Sequence, residues 1–165
     1  GTPGMPQMML STKSALVVGF GHVGKKIARA CGQGLGCKRV YATRQSATEP
    51  YVDESMGFPV HVHPAADLKA LLRKVSCLFL CVPSAAGGGR PIVGAEELAL
   101  LRSNEEQTDE RLKAVVVNVA RGDLVDEQAL FDACSEDAGL RAAIDTWWSY
   151  PPDVASKYAH PPSAL

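Results

Sequence analysis

The feature that most constrains this 165-residue chain is its first apolar run, together with the glycine-rich turn just after it. ALVVG (15–19) leads into Phe20-Gly21-His22-Val23-Gly24 and then KKIARACGQG. A run that is apolar at every position, rather than at every second one, reads as a strand covered on both faces, and such strands belong to parallel sheets. Beyond the glycines, Val23, Ile27, Ala30 and Cys31 recur at helical spacing and define the expected buried stripe of a helix, which Gly32 and Gly34 should end. Strand, glycine turn and helix form the opening unit, and a parallel sheet needs more of the same.

The chain supplies them. RVYAT (39–43), FPVHVH (58–63), SCLFLCVP (76–83), AVVVNV (114–119) and RAAID (141–145) read as further strands. Between them, AADLKALLRKV places Leu68, Leu71, Leu72 and Val75 on one helical side, while GAEELALLRS and DEQALFDACSED (126–137) are amphipathic. RQSATEPYVDESMG, SAAGGGRP and SNEEQTDERLK read as loops and surface connections. Six strands with interleaved helices predict an α/β, doubly wound parallel sheet, the Rossmann fold. Residues 1–14 are expected to be an N-terminal extension or cloning remnant, 15–151 the dinucleotide-binding domain, and 152–165 a proline-rich tail.

Composition closes off several function classes. A net charge of -1 with interspersed acids and bases leaves no basic footprint for nucleic acid and no polybasic cluster for a membrane surface. The longest apolar stretch, CLFLCVP, falls far short of the roughly 20 residues that span a bilayer. Five cysteines leave an odd one and no zinc-like double pair, so free thiols in a reducing, cytoplasmic setting are expected, with Cys77 and Cys81 as core residues. His61 and His63 share one strand face. With no third ligand nearby they read as solvated, and no metal is expected.

Gly19, Gly21 and Gly24 form a GxGxxG in the context its mechanism requires, after a buried strand and at the start of a helix. The first glycine permits a tight turn, the second lets backbone approach a pyrophosphate, and the third allows close helix–sheet packing. The helix N-terminus then offers its N–H groups to the anion. An NAD site would place a carboxylate at the end of the second strand to bond the ribose 2′-hydroxyl. Here the position is Thr43, followed by Arg44, whose planar fork suits a 2′-phosphate. This favours NADP over NAD.

VVNVARGDLVDEQAL (116–130) closely resembles the signature of the D-isomer-specific 2-hydroxyacid dehydrogenases, and AAIDTWW (142–148) resembles that family's following strand. CVP (81–83) is similar to the end of its fourth strand, so the resemblance runs from about residue 15 to 151. It implies that the chain is the cofactor domain of a two-domain enzyme that transfers a hydride between a nicotinamide cofactor and a 2-hydroxy or 2-keto acid. Arg121 matches the substrate-binding arginine, and the chemistry suits it: a guanidinium can bind a 2-keto acid's carboxylate and donate to the reacting carbonyl oxygen. By the same resemblance, His22 and Val23 offer N–H groups to the pyrophosphate, and Val82 and Pro83 wall the adenosine side. Val119 and Ala120 lie under the nicotinamide, Asp145 sits beside its carboxamide, and the assembly is a homodimer. Asn118 is expected to bond neighbouring loops. The Trp147-Trp148 pair has three places open to it, a partner surface, the substrate cleft or the packed interior, with the cleft favoured by its closeness to Asp145.

Two departures qualify the resemblance. The family's catalytic glutamate corresponds to Tyr150, which can hydrogen-bond a histidine but cannot favour its charged form as a carboxylate does. None of His22, His61, His63 and His160 sits in a context like the family's acid–base histidine, which is expected to lie outside this chain together with the substrate domain. A non-catalytic NAD(P)-binding sensor or interaction module on the same fold is the alternative expectation.

Overall fold

Ala15, Leu16 and Val17 expose no surface at all, as an all-apolar strand in mid-sheet must. The computed structural model describes residues 10–106, 113–136 and 139–149, and in it this strand, β1 (Ser14–Val18), lies at the centre of a seven-stranded sheet. The others are β2 (Arg39–Arg44), β3 (Tyr51–Asp53), β4 (Val60–Pro64), β5 (Cys77–Leu80), β6 (Ala114–Asn118) and β7 (Leu140–Ile144). They run in the order β3-β4-β2-β1-β5-β6-β7, all parallel except for β3 against β4. Helices α1 (His22–Arg29), α2 (Leu68–Leu72), α3 (Ala95–Arg102) and α4 (Glu127–Glu136) cover the faces.

Alternation along the strands divides the interior into two cores. Ala15, Val17, Val40, Ala42, Val60 and Val62 face one way, onto α1 through Ala28 and Cys31. Leu16, Val18, Leu78, Leu80 and Val116 face the other, onto leucines of α2, α3 and α4. Each fully buried leucine contributes about 1.5–3 kcal/mol, whereas an exposed pair such as Lys69–Glu96 is screened by solvent and adds little, so the apolar layers hold the fold.

Register sets up the site. Thr43 pairs with Val18, Val18 with Leu80, Leu80 with Asn118, and Asn118 with Ile144. Five strands therefore end level, and Arg44, Gly19, Cys81, Val119 and Asp145 follow along one edge. Between β1 and β5 the strand order reverses, which opens the crevice where α/β sheets of this kind bind ligands.

The structure corrects four local expectations. The polar segment read as a loop contains β3, a short antiparallel edge strand whose few exposed residues carry little apolar signal. The α1 stripe is rotated: Gly24 and Ala28 face the sheet, while Val23 is 52% exposed. A Cβ on Gly24 would lie 1.8 Å from the Gly19 carbonyl oxygen, so only glycine lets the helix sit this close. The start of SNEEQTDERLK is not superficial, because Asn104 is buried and Glu106 accepts from the Ser14 N–H and hydroxyl at 2.6 Å each. Nor are His61 and His63 simply solvated: both are half-buried against the Tyr41 ring, and His63 Nδ1 lies 3.0 Å from Asp67 Oδ2. Tyr150, His160 and the tail lie outside the described residues.

Candidate dinucleotide and anion site

The glycine loop is built by the crossing of β1 and β5. Gly19 takes φ +98°, and a Cβ there would lie 2.6 Å from Val82 Cγ1 and 2.9 Å from the Cys81 carbonyl oxygen. Its N–H donates to the Thr43 carbonyl at 3.1 Å, tying the loop to β2. Gly21 caps α1 without a side-chain hydrogen bond and has open space where a Cβ would point. The first N–H groups of a helix have no partner within it, so His22, Val23 and Gly24 present donors beside a backbone that nothing shields. These residues fit a pyrophosphate.

Two clefts meet at this loop. One, of about 520 Å³, is lined by Val18, Gly19, Thr43, Gln45, Val82 and Pro83 among others. The second, of about 490 Å³, is lined by Val23, Val82, Pro83, Val119, Ala120 and Arg121 among others. Val82 and Pro83 line both, so the clefts sit side by side along the strand ends from β2 to β6, a trough with these two residues at its middle. The trough and its rim bring together Gly19, Val23, Thr43, Val82, Pro83, Val119, Ala120 and Arg121. Thr43 is buried with its carbonyl engaged by Gly19, while Arg44 beside it is exposed. His22 lies to one side, in a shallow recess with Lys25, Lys26 and Arg29. Burial pushes the Cys81 thiol up to about 11, so the one cysteine lining the trough stays protonated near neutrality.

At the far end, buried Asn118 organises the loop after β6. Its Nδ2 donates to the Arg121 carbonyl at 2.8 Å and its Oδ1 accepts from the Ala120 N–H at 3.1 Å. Its own carbonyl accepts from the Asp145 N–H at 2.9 Å, so one residue ties together the backbones that carry Arg121 and Asp145. Asn118 therefore bonds neighbouring loops, as the sequence suggested. The exposed Arg121 donates from Nη1 to the Ala120 carbonyl at 2.6 Å, and among the described residues no carboxylate pairs with its guanidinium.

Sequence reasoning missed what holds this loop from below. A Cβ on Gly122 would lie 2.4 Å from the Trp147 carbonyl carbon and 2.5 Å from the Trp148 nitrogen. The chain leaving β7 thus passes directly against Gly122, and the Trp148 indole N–H donates to the Val125 carbonyl. Trp148 packs against the core and borders a recess with Arg90 and Asp123, instead of facing the trough. The glycine after Arg121 was the available signal, although only the tertiary crossing gives it meaning. Among the described residues no group of three His, Cys, Asp or Glu side chains could hold a metal ion, and no helix is long and apolar enough to cross a membrane.

Known proteins share both this sequence pattern and this geometry. Residues 2–165 match the family model for the D-isomer specific 2-hydroxyacid dehydrogenase, NAD binding domain. D-3-phosphoglycerate dehydrogenase of Methanocaldococcus jannaschii is 27% identical over 140 residues, covering 85% of this chain and 24% of that protein. Among solved structures, D-lactate dehydrogenase with NAD+ from Lactobacillus jensenii superposes with a TM-score of 0.69 at 20% identity, covering 96% of this chain and 44% of that one. An NADPH-dependent glyoxylate/hydroxypyruvate reductase from Sinorhizobium meliloti also gives 0.69, at 22% identity, covering 92% and 54%. The chain spans only about a quarter to two fifths of the curated relatives' length. These solved structures establish the fold, and their descriptions differ over the dinucleotide.

Proposed function

The chain belongs to the D-isomer specific 2-hydroxyacid dehydrogenase, NAD binding domain family, and from that premise we propose that it is the dinucleotide-holding part of an oxidoreductase acting on 2-hydroxy and 2-keto acids, with NADP preferred. The observation that carries the reading is an arginine paired with no carboxylate among the described residues, on the rim of a trough that begins at a glycine loop. Dinucleotide binding alone does not need a cation there, but a substrate carboxylate does.

In this reading Gly19 makes the tight turn, Gly21 leaves the pyrophosphate room, Gly24 lets α1 pack close, and the N–H groups of His22 and Val23 meet the charge. Arg44, exposed at the end of β2 where no carboxylate opposes a phosphate, pairs with the 2′-phosphate. Val82 and Pro83 wall the adenosine side. Val119 and Ala120 form the floor under the nicotinamide, whose carboxamide meets Asp145. The bound dinucleotide supplies or accepts the hydride. Arg121 orients the acid by its carboxylate and donates to the oxygen on which negative charge builds, and it stays protonated in both reaction directions. No described histidine lines the cleft at Arg121, so this reading assigns the acid–base step to none of the described residues.

The test uses the native protein with NADPH, NADH and a panel of 2-keto acids. Arg121→Ala is expected to lower kcat/KM by on the order of 10²–10³-fold with dinucleotide affinity unchanged. Equal turnover by the variant would sink the arginine's role, and no turnover with any acid would favour a binding module. Tighter binding of NADH than of NADPH would remove Arg44 as a phosphate partner.

A further inference from the structure

Away from the trough, the segment between α1 and β2 brings two thiols together. α1 continues as a π-helical turn over Ala30–Gly34, and the Cys37 N–H donates to the Cys31 carbonyl at 2.9 Å. That bond puts the two backbones in direct contact, and a disulfide needs Cα atoms roughly 4.4–6.8 Å apart. Each thiol is also the largest single influence on the ionisation of the other, as two side chains packed side by side must be.

Their surroundings differ. Cys31 is 1% exposed, inside the core under α1, whereas Cys37 is half-open to solvent. The turn between them is anchored at one end, where Gly32 lies against the Phe58 ring. Gly34 and Gly36 have open space around them, and Gly36 takes φ +64°, so the rest of the turn has room to adjust as a bond closes.

We propose that Cys31 and Cys37 form a peroxide-reactive thiol pair, Cys37 attacking and Cys31 resolving. The neighbouring Cys31 holds the Cys37 thiol below its ordinary value despite partial burial, while Cys37 and burial push Cys31 up. A lowered, accessible thiol poised next to a second thiol is the arrangement that reversible oxidation uses, the second thiol giving up its proton as it attacks. In the first step the Cys37 thiolate attacks a peroxide oxygen. An S–O bond forms, the O–O bond breaks, and hydroxide leaves with Cys37 as a sulfenic acid. In the second, the Cys31 sulfur attacks that of Cys37, an S–S bond forms, the S–O bond breaks, and the Cys31 proton leaves with the oxygen as water. The sulfur pair loses two electrons and the peroxide gains them.

Cys77 is the competing partner, since its charge would be felt by Cys31, but it is 3% exposed and burial pushes its thiol up to about 12. Sequence makes the outcome readable. Trypsin releases residues 30–38 with Cys31 and Cys37 and no other cysteine, while Cys77 and Cys81 fall in 75–102 and Cys134 in 122–141. The folded chain is treated with limiting hydrogen peroxide, quenched with iodoacetamide and mapped by mass spectrometry. Peptide 30–38 is expected to lose two hydrogens before any other cysteine is oxidised, to resist alkylation, and to regain both hydrogens with dithiothreitol. In Cys31→Ser, Cys37 should instead gain oxygen atoms. Full alkylation of both thiols after peroxide, prior oxidation of Cys134, or a Cys37 bond to peptide 75–102 would each overturn the proposal.

Discussion

Asn118 shows how much one side chain can carry at the end of a strand. It is wholly buried, yet it offers its amide to the loop bearing Arg121, and its backbone carbonyl holds the chain bearing Asp145. Removing the amide would leave the Ala120 N–H and the Arg121 carbonyl without their partner, at a cost of about 1–3 kcal/mol. Asn118→Ala should therefore lower the urea midpoint of unfolding without changing the slope, and an unchanged midpoint would show that the loop holds itself. The loop bonding of Asn118 and the position of Arg121 were legible because residue order along one strand end is local information. The role of Gly122 was not, because what it must avoid is the Trp147–Trp148 backbone, which arrives from the far end of the chain.

At the level of elements, β5 links burial to pH. Cys77 faces the α1 core and is pushed by burial from an ordinary 9.0 up to about 12, and Cys81, just past the strand, up to about 11. A raised folded value means that the folded chain keeps protons the unfolded chain has lost, so stability present below pH 9 declines as pH rises toward 11 and 12. Urea midpoints should fall through that window, and Cys77→Ala should flatten the decline although it lowers stability at neutral pH. A wild-type midpoint that stays level across the window would contradict the linkage. Elements with a strong apolar pattern were readable in sequence: β1, β2, β4, β5, β6 and β7 all stand within a few residues of their expected places. β3 was not, since three residues on an edge need only one partner strand and no inward face.

For the molecule as a whole, the site is a property of register. The level ends of β2, β1, β5, β6 and β7 align residues more than a hundred positions apart in sequence along a single edge. If the trough takes a dinucleotide, binding to the folded state alone stabilises it by mass action, by about 2.7 kcal/mol at a hundredfold excess over Kd. NADPH should thus raise Tm in a concentration-dependent way, and by more than NADH at equal concentration. A Tm indifferent to both would mean that the trough is not a dinucleotide site in this chain. By itself the sequence determined the sheet, the glycine turn and the placing of Arg121 at a strand mouth, because apolar period and glycine position act over a few residues. Only tertiary structure decided that Val23 faces the trough, that Val82 and Pro83 line both clefts, and that Trp148 braces the arginine loop. Each of these depends on the approach of segments distant in sequence, which no local pattern encodes.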